Sequence, residues 1–316
     1  MSGLRLRPTL RTPALVVGLA LVVAWVSLEM RIGTRADTIH NMSNILHGRP
    51  LAFGEAHSTV HPFYNRILFP SLLLAASHGI GLLSEGQWYI LLRLLSCIFG
   101  LGAFAWVCRH ALRASTTRVQ FATAMMALST IAAFAYPWED PTDVIDLGAQ
   151  ALAVAAALSG RFALCLAIAL VFAANRESAA YAGVIWFVLA PGPRSLPRRA
   201  VETIVICVAS YALALELRSL ISDFHARNWW ALPHNIEALI AAVRSLAIVG
   251  WLGVLAGVTL FFAACVDLGT PLARKLVALA GLFAVAGLIF GWVEDVRVFL
   301  PCFVMLCLAV AVGKEA

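Results

Sequence analysis

The chain has 316 residues, of which 61% are hydrophobic and only 13% charged, and its mean hydropathy is +0.88. A soluble domain carries about 25% charged residues, so this chain lacks the polar surface to cover itself in water; its solvent is a bilayer. The net charge of +6 rests on basic residues spread singly or in threes over short loops. That is a topology signal, and it excludes a phosphate-tracking surface and nucleic acid as a partner.

In chain order, Arg5, Arg7 and Arg11 precede an apolar run at 13–28. The run is long for a signal peptide and lacks an A-x-A exit, so a retained anchor with a cytoplasmic N-terminus is expected. Next comes the polar stretch 31–70, RIGTRADTIHNMSNILHGRPLAFGEAHSTVHPFYNRILFP. Tied to apolar runs at both ends, it has to lie at a membrane surface, and it is read as the roof of a site on the extracytoplasmic side. Its histidines (40, 47, 57, 61) could bind metal; only 57 and 61 have i, i+4 spacing, and unliganded polar histidine is the expectation.

Further apolar runs follow at 67–83, 88–108, 119–136, 144–158, 162–174, 179–190, 200–215, 245–266, 276–292 and 298–312. A spanning helix needs about 20 residues, so the shorter runs require tilt or snorkelling ends. The basic turns Arg109/Arg113/Arg118 and Arg194/Arg198/Arg199 both fall in the cytoplasm only if 67–83 lies as a helix on the outer face. The expectation is then an all-α, polytopic transmembrane bundle of about 10 spans plus that outer juxtamembrane helix. Residues 1–316 form a single integral domain of the plasma (inner) membrane, with both termini cytoplasmic. The cysteines (97, 108, 165, 207, 265, 302, 307) all fall in or beside apolar runs without CxxC spacing. They read as small core hydrophobes.

This topology leaves Glu202, Asp267 and Glu315 inside and gathers the other acids at the outer side. Four polar clusters result: Asp37 with His61, Tyr64 and Arg66; PWEDPTDVID with Glu139, Asp140, Asp143 and Asp146; Asn175-Arg176-Glu177; and Glu294-Asp295-Val296-Arg297. Closely spaced acids repel unless positive groups compensate them. The plainer alternative for PWEDPTD is a helix start capped by Thr142 or Asp143, and Asn-Arg-Glu could be only a satisfied turn. Arg93 lies inside the apolar YILLRLLS. A charge at mid-span costs about 3 kcal/mol, so it either snorkels to the interface or faces an anion.

The order of these features resembles the GT-C glycosyltransferases. An early outer-loop Asp37 is followed by His61-Pro62-Phe63-Tyr64, similar to their HPPL-type stretch, and by Leu92-Arg93-Leu94-Leu95-Ser96, similar to their second-span signature. Thr38 stands where many relatives carry Glu, and Phe63 where they carry a second proline. The likeness covers the first half of the chain to residue 190, with additional helices over 191–316. YNRILFP, NRES and EDVRVFLP also resemble segments of small bacterial membrane proteins. The resemblance implies transfer of a sugar from a polyprenyl-phosphate carrier to an acceptor on the extracytoplasmic face. Asp37 would be the base, with Asp140 or Asp143 shaping the site or holding a divalent cation; no metal-ligand set is named. Arg66, Arg93, Arg176 and Arg297 would grip the carrier phosphate, with His61, Tyr64, Glu177 and Glu294 completing the substrate contacts. The partners implied are the polyprenyl-phosphate-linked sugar and membrane lipids. The competing expectations are a transporter or flippase, since intramembrane ionisable groups and broken helices mark transport paths, and a non-catalytic lipid-binding relative. Against transport stand the absence of an inverted repeat and acids read at one face instead of the midplane.

Overall fold

The computed structural model describes residues 8–29, 72, 75–76, 79–80, 82–133, 142–192, 195–219, 232–245, 247–290 and 299–312. Among them the regular structure is entirely helical: α1 (Pro8–Glu29), α2 (Glu85–His110), α3 (Thr116–Ala133), α4 (Thr142–Leu158), α5 (Phe162–Ala173), a 3-10 turn (Glu177–Ala180), α6 (Tyr181–Leu189), α7 (Leu196–Ser219), α8 (Leu232–Arg244), α9 (Ala247–Cys265), α10 (Pro271–Phe290) and α11 (Leu300–Ala311). Three segments are long and apolar enough to cross a bilayer: Gly86–His110, Leu196–Leu217 and Pro271–Phe290. Large apolar side chains such as Leu128, Ile204 and Leu260 are more than half exposed, as a lipid-facing surface requires. Most of the expected outer helix at 67–83 lies outside the described residues; residues 72, 75–76 and 79 are helical.

The helix boundaries follow from local chemistry. Ser84 and Gln87 form a capping box at the start of α2, each side chain bonding the other's backbone N–H, at 3.3 and 2.9 Å. The Ser115 hydroxyl accepts from the Arg118 N–H at the head of α3. α4 ends where Gly160 takes φ 66. Gly160 N–H then bonds the Ala157 carbonyl and Arg161 N–H the Ala156 carbonyl, the Schellman closure that glycine enters without strain. Thr270 caps α10 through the Ala273 N–H, with Pro271 at the first helical position.

The helices pack as two compact units. One is Met1–Val107 with Pro137–His225; the other is Cys108–Tyr136 with Ala226–Ala316. The chain passes back and forth between the two units. In the first unit α4, α5, α6 and α7 pack on one another around the 3-10 turn. In the second, α11 packs against α10 and α3, and α8 packs on α9 and α10.

Two close approaches fix the first unit. Gly100 of α2 lies against α4, where an added Cβ would overlap the Val144 carbonyl oxygen and side chain. Gly100→Ala is expected to lower the melting midpoint in detergent, corresponding to about 1–3 kcal/mol of overpacking set against the better helix propensity of alanine. Gly102→Ala is the control, since its Cβ would meet Val16 at 3.9 Å, and it should melt at or above the wild type. Further along, the buried Trp186 indole N–H donates to Glu202 Oε2 at 2.9 Å, while Arg198 Nε donates to Glu202 Oε1 at 3.0 Å. Trp186→Phe removes one bond to a carboxylate and replaces the buried indole with the smaller phenyl ring. It is expected to cost about 1.5–3 kcal/mol, read as a lower melting midpoint.

Candidate functional site

The site grows from three residues of α4. Asp143, Asp146 and Gln150 lie at i, i+3 and i+7, one face of a helix, and each is buried. The helix starts at Thr142. Asp143 sits in the first turn, where a carboxylate opposes the positive end of the helix dipole. The plainer sequence reading of PWEDPTD as a helix start therefore describes Thr142 and Asp143. It does not account for Asp146, a full turn inside.

The facing wall is the break between α5 and α6. The Asn175 and Arg176 N–H groups both donate to the Phe172 carbonyl at 2.9 Å, which closes α5. Arg176 is extended, with φ −159, before the chain re-enters a 3-10 turn. That break turns Arg176 back onto α4, where its Nη1 forms an ion pair with Asp143 Oδ1. Ser178 Oγ donates to Asp146 Oδ2 at 2.9 Å, and Gln150 Nε2 donates to the same oxygen at 2.7 Å. Asn175 is wholly buried. Arg176, Asp146 and Glu177 each lie within electrostatic reach of Tyr181.

The cluster is not at the edge of the helices. Val144, next to Asp143, meets Gly100, close to the middle of the Gly86–His110 segment. Phe172 stacks on Phe99 with ring centroids 5.9 Å apart. The carboxylates are thus level with the centre of α2. Arg93 lies earlier on the same helix and is fully buried in the first unit, so it does not reach out to the unit's surface.

A cavity of about 10 Å³ adjoins the cluster, lined by Asp146, Gln150, Phe172, Ala179 and neighbouring small residues. That is room for about one water and far too little for a sugar ring. Gln150 Oε1 is buried there without a hydrogen-bond partner among the described residues. No three His, Cys, Asp or Glu side chains come together among the described residues.

Of the residues singled out from sequence, the fold brings together Asp143, Arg176 and Glu177. Asp37, His61, Tyr64, Arg66, Asp140, Glu294 and Arg297 lie outside the described residues. Asp146 stands among the outer acids without an assigned role, and Asn175 belongs to one of the polar clusters without a role of its own. Gln150, Ser178 and Tyr181 were missed. The i, i+3, i+7 spacing of 143, 146 and 150 carried the signal for Gln150; nothing local marked Ser178 or Tyr181. No protein-family model, no curated protein and no solved structure matches the chain.

Proposed function

We propose that the protein is a GT-C-type membrane glycosyltransferase, moving a sugar from a polyprenyl-phosphate carrier on the extracytoplasmic face. The observation that supports this reading is the ion pair between Asp143 and Arg176, 33 residues apart, which joins two of the four polar clusters into one charged site. Glycosyl transfer needs a carboxylate to take the acceptor proton and cations to stabilise the departing phosphate. In this reading Asp143 aims the Arg176 guanidinium at the carrier phosphate, and Asp37 is the base. The cavity beside Asp146 is too small for the sugar. A divalent cation would be held by Asp140 with a carrier oxygen.

The chain is read as multi-pass with both termini cytoplasmic. α5 is about 18 Å long and α6 with its 3-10 turn about 22 Å, against a hydrocarbon core of about 30 Å. We therefore read them as a re-entrant hairpin with Asn175 and Arg176 at its tip, irregular backbone being tolerated at that depth only inside protein. This removes two crossings from the sequence expectation and leaves Arg161 and Arg198 on the same side.

Transport is the second reading, and the depth of the cluster favours it: carboxylates level with mid-α2, beside a broken helix, are the pattern of a substrate path. Proteoliposomes loaded with radiolabelled mannose, glucose or arabinose on a polyprenyl phosphate separate the two. Protein-dependent release of label from the lipid supports transfer. Movement of the label across the bilayer with its linkage intact supports transport and overturns transfer. Binding without either result leaves the non-catalytic relative.

A further inference from the structure

Helix α8 was not among the runs picked out from sequence, and it has three distinct faces. Asn235, Ala238 and Ala242 face inward, with Asn235 and Ala242 buried. Ile236, Leu239, Ile240 and Val243 form a stripe at i, i+3, i+4 and i+7, each about half exposed. His234, Glu237 and Arg244 are exposed on the third face.

The start of α8 is tied to α10, and its end leads into α9. At its start, Asn235 Nδ2 donates to the Leu288 carbonyl at 2.6 Å, in the last turn of α10, one of the three segments able to cross a bilayer. At its end, the Ser245 hydroxyl donates to the Ala241 carbonyl at 2.9 Å, and α9 begins two residues later. Only residues 266–270 separate α9 from α10. α8 packs on both and bridges the start of α9 to the end of α10. At 13 residues, or about 20 Å, α8 is too short to cross a bilayer.

We propose that α8 is an interfacial helix that docks on the lipid bilayer, lying in the membrane plane between the start of α9 and the end of α10. Its Ile236/Leu239/Ile240/Val243 stripe sinks into the boundary of acyl chains and headgroups, and Glu237 and Arg244 stay in the aqueous headgroup layer. The arrangement meets both demands of an interfacial helix, an apolar face for the chains and a charged face for water. It rests on α10 crossing the membrane and is independent of the reaction assigned above.

The test uses the full chain in vesicles of phosphatidylcholine and phosphatidylglycerol carrying radiolabelled acyl chains. A benzophenone amino acid is placed at Leu239 and, separately, at Glu237. Lipid adducts from position 239 should exceed those from 237 several-fold. Equal lipid labelling at both positions overturns the proposal. So does a cross-linked dimer from 239, which would make the stripe a contact between two copies of the chain. If the probe at 239 prevents folding, Ile236 against Arg244 gives the same comparison of faces.

Discussion

Arg176→Leu is expected to destabilise the protein by about 3–5 kcal/mol, the cost of removing one member of a buried ion pair. Asp143 is 1% exposed and Arg176 17%, so water screens neither charge well, and leucine takes away the guanidinium that opposes the carboxylate. Folded membrane proteins of ordinary stability have about 5–15 kcal/mol in hand, so the loss should be visible as a large drop in melting midpoint or in monodisperse yield in detergent. The pair of changes tells charge from packing. Asp143→Asn with Arg176→Leu removes both charges, leaves the Ser178 and Gln150 bonds to Asp146 in place, and should recover most of the lost stability. A single Arg176→Leu variant that melts like the wild type would mean that the pair does not form in the folded protein, and the charged site built on it would fall.

Asp37→Asn should leave the melting midpoint unchanged and reduce sugar release from the carrier by about 10²–10⁴-fold, the usual contribution of a general base. The amide is nearly the same size as the carboxylate but cannot accept the acceptor's proton at neutral pH. Asp143→Asn is expected to behave differently, with lower stability first and a weaker hold on the carrier second, because its charge positions Arg176 instead of taking a proton. If release survives Asp37→Asn at near the wild-type rate, the base lies elsewhere. If intact lipid-linked sugar crosses the bilayer equally fast in both proteins, the transport reading replaces the enzymatic one.

Much of the helical framework was legible because each long apolar run has to satisfy its own backbone in lipid, and a helix does that locally. The runs at 88–108, 162–174 and 298–312 match α2, α5 and α11 closely for this reason. Helix α8 escaped a search for continuous apolar runs because Asn235, Glu237 and Arg244 leave only Ala238–Val243 unbroken, while its large apolar residues recur at the helical period. The site was half legible. PWEDPTDVID and NRES stood out as polar segments in an apolar chain, and the i, i+3, i+7 spacing from Asp143 to Gln150 is readable without coordinates. Their meeting is not, because the pairing of Asp143 with Arg176 depends on how α5 breaks and folds back, a tertiary event with no local signature. Nor does any local signal show that Val144, next to Asp143, meets Gly100 of α2.

The packing of α11 on α3 has a consequence for biogenesis. About 170 residues separate the end of α3 from the start of α11, and at a synthesis rate of about 5–20 residues per second roughly 10–30 s pass between the emergence of the two. During that interval α3 stands without its neighbour. Its exposed flank is then open to insertase, chaperone and quality-control protease alike. A ribosome that stalls before residue 300 would leave that flank uncovered for good, so nascent chains short of α11 should be cleared far faster than the finished protein.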